Sequence, residues 1–218
     1  MSLQVEGRAS TRLTRQRIRT YILSQPEHLA WLDGGRGAPP PQQFTVAEYY
    51  ALTATGLVRE EDRLELVDGV LVQMSPINDR HVRAVNRLNT LFHEQTGRDL
   101  IISVQNPLRL GTAATPQPDV LLFRPNAEDD DLPTPANVLL VIEVSDSTLA
   151  YDRRVKLALY AQAALAEVWI VNLVDNIIEV YTAPQEGQYS GVQTLGLTDT
   201  LTPVALPHVH ILVDAIIR

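Results

Sequence analysis

The chain contains no cysteine, which removes disulfides, thiolate zinc sites and cysteine nucleophiles together. No apolar run reaches the roughly 18 residues of a membrane span, and the amino terminus lacks the apolar stretch of a secretory signal. The expectation is a cytoplasmic protein with no membrane partner. Neither Gly-x-Gly-x-x-Gly nor Gly-x-x-x-x-Gly-Lys-Ser/Thr is present, so nucleotide-cofactor readings lack their phosphate cradle. Without Gly-x-Ser-x-Gly a serine hydrolase is weakened, and without His-x-x-x-His a zinc protease is unsupported. Basic charge is also short. The net charge of −8 argues against a broad basic surface that coats nucleic acid. It leaves room for an enzyme that engages DNA locally, because a bound metal offsets nearby acids.

What remains is enough for one substantial domain of 218 residues with an ordinary soluble composition. Residues 1–43 read as an arm ending in the linker Gly34-Gly35-Arg36-Gly37-Ala38-Pro39-Pro40-Pro41. Arg8, Arg12, Arg15, Arg17 and Arg19 cluster in this arm. They suit phosphate binding, or a solvated or oligomer-contacting segment. Within the arm, 12–24 and 27–32 read as short helices. The acidic run Glu128-Asp129-Asp130-Asp131 reads as a solvated loop.

Residues 44–218 carry the main domain. Thr45-Val46-Ala47-Glu48 is a capping box that starts a helix, and Gly56 stops it. Asp68-Gly69 supplies the positive φ angles of a tight hairpin between 63–67 and 70–74. A helix over 79–97 carries an apolar stripe of Val82, Val85, Leu88, Leu91 and Phe92. Strands follow at 100–105, 118–124 and 138–144, then a helix over 151–165. Strands at 168–173 and 177–181 flank Asp175-Asn176. The last forty residues read as shorter extended pieces closing the sheet. This order gives a mixed α/β layer arrangement.

Two acids stand out. Asp119 opens Pro-Asp-Val-Leu-Leu-Phe and Glu143 closes Val-Leu-Leu-Val-Ile-Glu, strands apolar enough to be covered on both faces. An ionised carboxylate there is expensive unless paired, hydrated or bound to a cation. If the two strands pair antiparallel, both acids reach the same edge of the sheet. Carboxylates plus water are the ligands Mg²⁺ or Mn²⁺ prefers, and such a metal serves phosphodiester hydrolysis. Asp152, Lys156 and Tyr160 recur every four residues on one helix face. Lys156 is then either a charge aimed at the sheet end or half of an exposed Asp152–Lys156 pair. Glu65 alternates with Leu64 and Leu66 and by default faces outward. His81, in the first turn of its helix, is open to a site role or to packing and capping. His208 and His210 read as exposed.

Pro118-Asp119, Val141-Ile142-Glu143-Val144-Ser145-Asp146-Ser147-Thr148, and then Asp152, Lys156 and Tyr160 resemble the Uma-type branch of the PD-(D/E)XK nuclease superfamily. Glu65-Leu66-Val67-Asp68-Gly69 is similar to that branch's glutamate-bearing hairpin. The resemblance covers residue 44 onward. It implies a restriction-endonuclease-like core, a mixed β-sheet flanked by helices, with the amino-terminal helical extension outside it. It further implies Asp119 and Glu143 as metal ligands for Mg²⁺ or Mn²⁺, and Glu65, Asp119, Glu143 and Lys156 as catalytic residues. Nucleic acid, DNA first, is the implied partner, and a homodimer is compatible with such folds. One position departs from the signature: Ser145 stands where Glu-x-Lys places lysine; the resemblance to the Uma-type branch implies that the lysine comes from the following helix, which suits Lys156. Two rivals remain, a nuclease-fold module that cuts nothing and, further off, a glycosidase with paired carboxylates.

Overall fold

A computed structural model describes residues 14–33, 42–125 and 133–218. The glycine- and proline-rich linker at 34–41, Arg8, Arg12 and the acidic run at 128–131 lie outside the described residues. The chain divides into two compact units, residues 1–75 with 110–116, and residues 76–109 with 117–218.

The first unit contains α1 (Arg15–Arg19), β1 (Ile22–Ser24), α2 (Gln25–Leu32), α3 (Val46–Ala54), β2 (Leu64–Val67) and β3 (Val70–Gln73). Helix α3 begins as expected, with the Thr45 hydroxyl and the Glu48 carboxylate satisfying each other's backbone N–H groups. Asp68 (φ 47°) and Gly69 (φ 77°) form the tight turn between β2 and β3. The region expected as one helix over 12–24 breaks after α1. Its last residues, 22–24, pair in parallel with 71–73 of β3. The β-branched and aliphatic Ile22-Leu23 suits a strand better than a helix end. The strand order is β1-β3-β2. Leu64, Leu66 and Leu71 pack with Phe44, Tyr49, Leu52 and Ile18 in a small core.

The second unit starts with α4 (Asp79–Gln95), capped by the Asn78 side chain on the His81 N–H. Then come β4 (Ile101–Val104), β5 (Val120–Phe123) and β6 (Val138–Ser145). A helix follows in three stretches: α5 (Leu149–Tyr151), a π-helical turn (Asp152–Lys156) and α6 (Leu157–Gln162). Strands β7 (Glu167–Asn172), β8 (Ile177–Gln185) and β9 (Gln188–Leu195) complete a six-stranded sheet in chain order, β4 to β9. Within this sheet, among the described residues, only β6 and β7 run parallel, joined by the helical crossover that parallel pairing requires. The remaining neighbours are antiparallel.

Alternation along β6 decides what each face meets. Leu140, Ile142 and Val144 join Val85, Leu88, Phe92 and Trp169 in the main core. Val141, Glu143 and Ser145 therefore point to the other face. Two expectations need correction. Val82 is 45% exposed; the helix buries Ala84, Val85, Leu88 and Phe92 instead. The chain end does not simply close the sheet. β9 extends it, whereas β10 (Thr200–Leu201) and β11 (Ile211–Leu212) form a separate two-stranded ladder before α7 (Val213–Ile217).

Candidate active site

The site grows from the antiparallel register of β5 and β6. Val120 lies opposite Ile142, so continuing the ladder by one residue sets Asp119 beside Glu143. The contact is direct at the backbone. Asp119 Oδ2 accepts the Val144 N–H at 2.8 Å. Asp119 Oδ1 takes the Gln105 side-chain amide at 3.2 Å and lies 3.0 Å from His81 Nε2. Asp119 is thus oriented by three neighbours from α4, the segment after β4, and β6. The other ring nitrogen, His81 Nδ1, is buried without a partner among the described residues.

Glu143 is 3% exposed and meets the crossover helix. Lys156 Nζ is 3.2 Å from its Oε1, and the Tyr160 hydroxyl donates to the same oxygen at 2.5 Å. Burial pushes the Glu143 pKa well above the usual carboxylate range. The Lys156 charge opposes that rise, while the negative charges of Asp152 and Asp119 add to it. One ammonium does not compensate this much negative charge in a desolvated place.

Lys156 closes the π-helical turn that Asp152 opens, and both are buried. The exposed-pair reading of Asp152–Lys156 is therefore wrong. Four-residue spacing looks the same whether the helix face meets water or a sheet. Asp152 Oδ2 accepts from Ser145 Oγ at 2.7 Å and Thr148 Oγ1 at 2.5 Å. Burial raises its pKa, against the pull of Lys156 and both hydroxyls. Sequence reasoning gave Asp152 no task of its own. A usable signal was present: Lys156 is the only lysine among 18 basic residues. A chain that uses arginine everywhere else keeps a compact ammonium on a flexible stem at this one place.

Glu65 does not face outward. It is 1% exposed, on β2 of the first unit, and Tyr49 of the same unit is raised to about 12 by burial, with smaller contributions from Tyr50 and Glu65. Of the four expected site residues, the second unit brings together Asp119, Glu143 and Lys156, and adds His81, Gln105, Tyr160 and Asp152.

The donor set can be tested for a divalent ion. Among the described residues no group of three or more histidine or acidic side chains forms a ready metal cage. Mg²⁺ usually needs none, binding through one or two carboxylates and keeping water or phosphate oxygens for its other positions. Paired carboxylates whose excess negative charge is undercompensated suit it.

Residues 46–214 match the family model Uma2, described as "Putative restriction endonuclease". The chain belongs to the Uma2 family. The solved structure of "a putative nuclease belonging to DUF820" from Anabaena variabilis is similar in fold, with a TM-score of 0.59 at 14% identity. That match covers 80% of this chain and 97% of the other. No curated protein matches. The mixed α/β fold with its six-stranded sheet is that of the DUF820 structure. Among the described residues, no helix of this Uma2 protein is long and apolar enough to cross a membrane.

Proposed function

We propose that this Uma2 protein hydrolyses phosphodiester bonds in DNA with the help of Mg²⁺ or Mn²⁺. The observation that carries the reading is that Asp119 lies beside Glu143 across the β5–β6 ladder while Lys156, from the crossover helix, lies 3.2 Å from Glu143. Asp119 and Glu143 would hold the ion, which supplies Lewis-acid activation of the phosphoryl group and of water. His81 and Gln105 fix the direction of the Asp119 carboxylate. Lys156 brings a positive charge to the place where negative charge builds on the phosphoryl oxygens. Tyr160 holds the Glu143 oxygen that Lys156 also touches. Glu65 belongs to the other unit and enters only through the family resemblance.

A second reading, a nuclease-fold module that cuts nothing, draws on the fact that both Asp119 oxygens already accept hydrogen bonds from protein groups. One experiment separates the two. Purified protein is incubated with linear, supercoiled and single-stranded DNA in Mg²⁺ or Mn²⁺, beside Asp119→Ala, and Mn²⁺ binding is followed by calorimetry. Metal-dependent cutting and Mn²⁺ binding by wild type, both lost in Asp119→Ala, support hydrolysis. Equal behaviour of the two proteins removes this site from any mechanism.

A further inference from the structure

Asp152 is a buried acid with no place in the chemistry above. It sits 3% exposed at the start of a π-helical turn, a rare geometry that gathers at functional sites. Within that turn the Leu157 N–H reaches back to the Asp152 carbonyl. Two hydroxyls, from Ser145 on β6 and Thr148 just before α5, fasten one carboxylate oxygen. Ser145 is the residue standing where the nuclease signature would place lysine, so that position now anchors an acid. Burial raises the Asp152 pKa, and the Lys156 ammonium, four residues on in the same buried turn, draws it back down.

Lys156 therefore lies 3.2 Å from Glu143 and shares a buried π-helical turn with the second carboxylate, Asp152. A lysine carries its charge on a flexible four-carbon stem, and a single ion pair fixes it poorly. Should Glu143 share its charge with a divalent cation, its hold on the ammonium weakens and the two cations repel. Asp152, held by hydroxyls and not by the ion, keeps its full attraction.

We propose that Asp152 is a positioning residue that keeps the Lys156 ammonium at the site when Glu143 is engaged with a divalent cation, with Ser145 and Thr148 as its anchors. The inference rests on the reading of Lys156 as the reactive lysine of a metal-dependent nuclease. It can be followed without cutting, because a chain with one lysine gives a single side-chain signal after selective isotope labelling. In the full chain, wild-type Lys156 Cε stays rigid by NMR relaxation with and without Mg²⁺. Asp152→Asn keeps the shape and loses the charge; its Lys156 becomes mobile once Mg²⁺ is added. Thr148→Val loosens one anchor and gives a weaker version of that change, which Thr148→Ser, keeping the hydroxyl, reverses. On DNA, Asp152→Asn lowers kcat by about 100-fold, the scale of a misplaced reacting group, with KM little altered. A Lys156 that stays rigid in Asp152→Asn with Mg²⁺, or an unchanged kcat in a cutting protein, overturns the proposal. If Asp152→Asn does not fold, the Thr148 pair decides it, and equal Lys156 mobility in Thr148→Val and Thr148→Ser counts against it. If wild type cuts no DNA, the nuclease reading fails while the lysine signal still decides the role of Asp152.

Discussion

Glu143 and Glu179 occupy the same row of the sheet, each directly opposite Ile170 of β7 on its two sides. Both are almost wholly buried, and both are paired with a base from the same π-helical turn. Their environments nonetheless push them in opposite directions. Glu179 takes a two-pronged contact from Arg153 at 3.0 and 2.5 Å, the Asn172 amide, and the Tyr181 hydroxyl. Burial alone would raise its pKa; these donors outweigh burial and lower it. Burial raises the Glu143 pKa and its two acidic neighbours add to the rise; one ammonium and one phenol do not offset them. The same strand row thus holds one carboxylate saturated by the fold and one left short of positive charge. Saturation is what a structural acid needs. A deficit is what a cation site leaves for its ion.

The sharpest way to break this contrast is to remove each base. Lys156→Met should lower kcat on DNA by about 10²–10³-fold, the usual loss for one group that stabilises developing charge. Arg153→Met should leave kcat near wild type and cost about 2 kcal/mol in urea unfolding, through the hydrogen bonds withdrawn from a charged acceptor. Equal slowing by both variants would erase the distinction between a structural and a reactive acid.

The next effect in size concerns the ion. A ligand that binds only the folded state at 100 times its Kd stabilises by about 2.7 kcal/mol. Wild type should gain this in saturating Mn²⁺ at neutral pH, read by thermal or urea unfolding, and Asp119→Ala should gain nothing. Stabilisation that persists in Asp119→Ala would locate the ion elsewhere.

The smallest effect tests the sign of the two shifts. Glu179 has a lowered folded pKa, so its contribution is complete above the unfolded value of 4.5 and vanishes as pH falls through the folded one. Glu179→Gln should therefore cost about 1.5 kcal/mol at pH 7, and the gap to wild type should close on acidification. Glu143 runs the other way. With its folded pKa raised, it favours the fold below 4.5 and loses that advantage as pH climbs through the folded value. A Glu179→Gln deficit that widened in acid would show the wrong sign for its shift.

Much of the frame was legible because local rules act over a few residues. The Thr45–Glu48 box, the Asp68-Gly69 turn and the apolar β5 and β6 each carry their own signal. The neighbourhood of Asp119 and Glu143 was legible only on the condition that their strands pair antiparallel, and β5 and β6 do pair that way. Other features were hidden for identifiable reasons. Val82 fits an apolar helical stripe by spacing, yet only packing decides where that stripe stops. His81 stayed open between a site role and packing or capping because a lone histidine in a first helical turn says nothing about which strand end it will meet. Glu65 alternates like a solvent-facing residue, and its burial depends on what covers that side of β2.

The sequence by itself determined which residues could be acids in apolar strands, where helices and turns begin, and that one ammonium stands apart from seventeen guanidinium groups. Tertiary structure alone decided which acid is satisfied and which is left wanting. Desolvation and the count of donors around a carboxylate depend on segments far apart in the chain, and no local pattern records them. Hence Glu143 and Glu179, similar as residues on paper, became a candidate site and a brace.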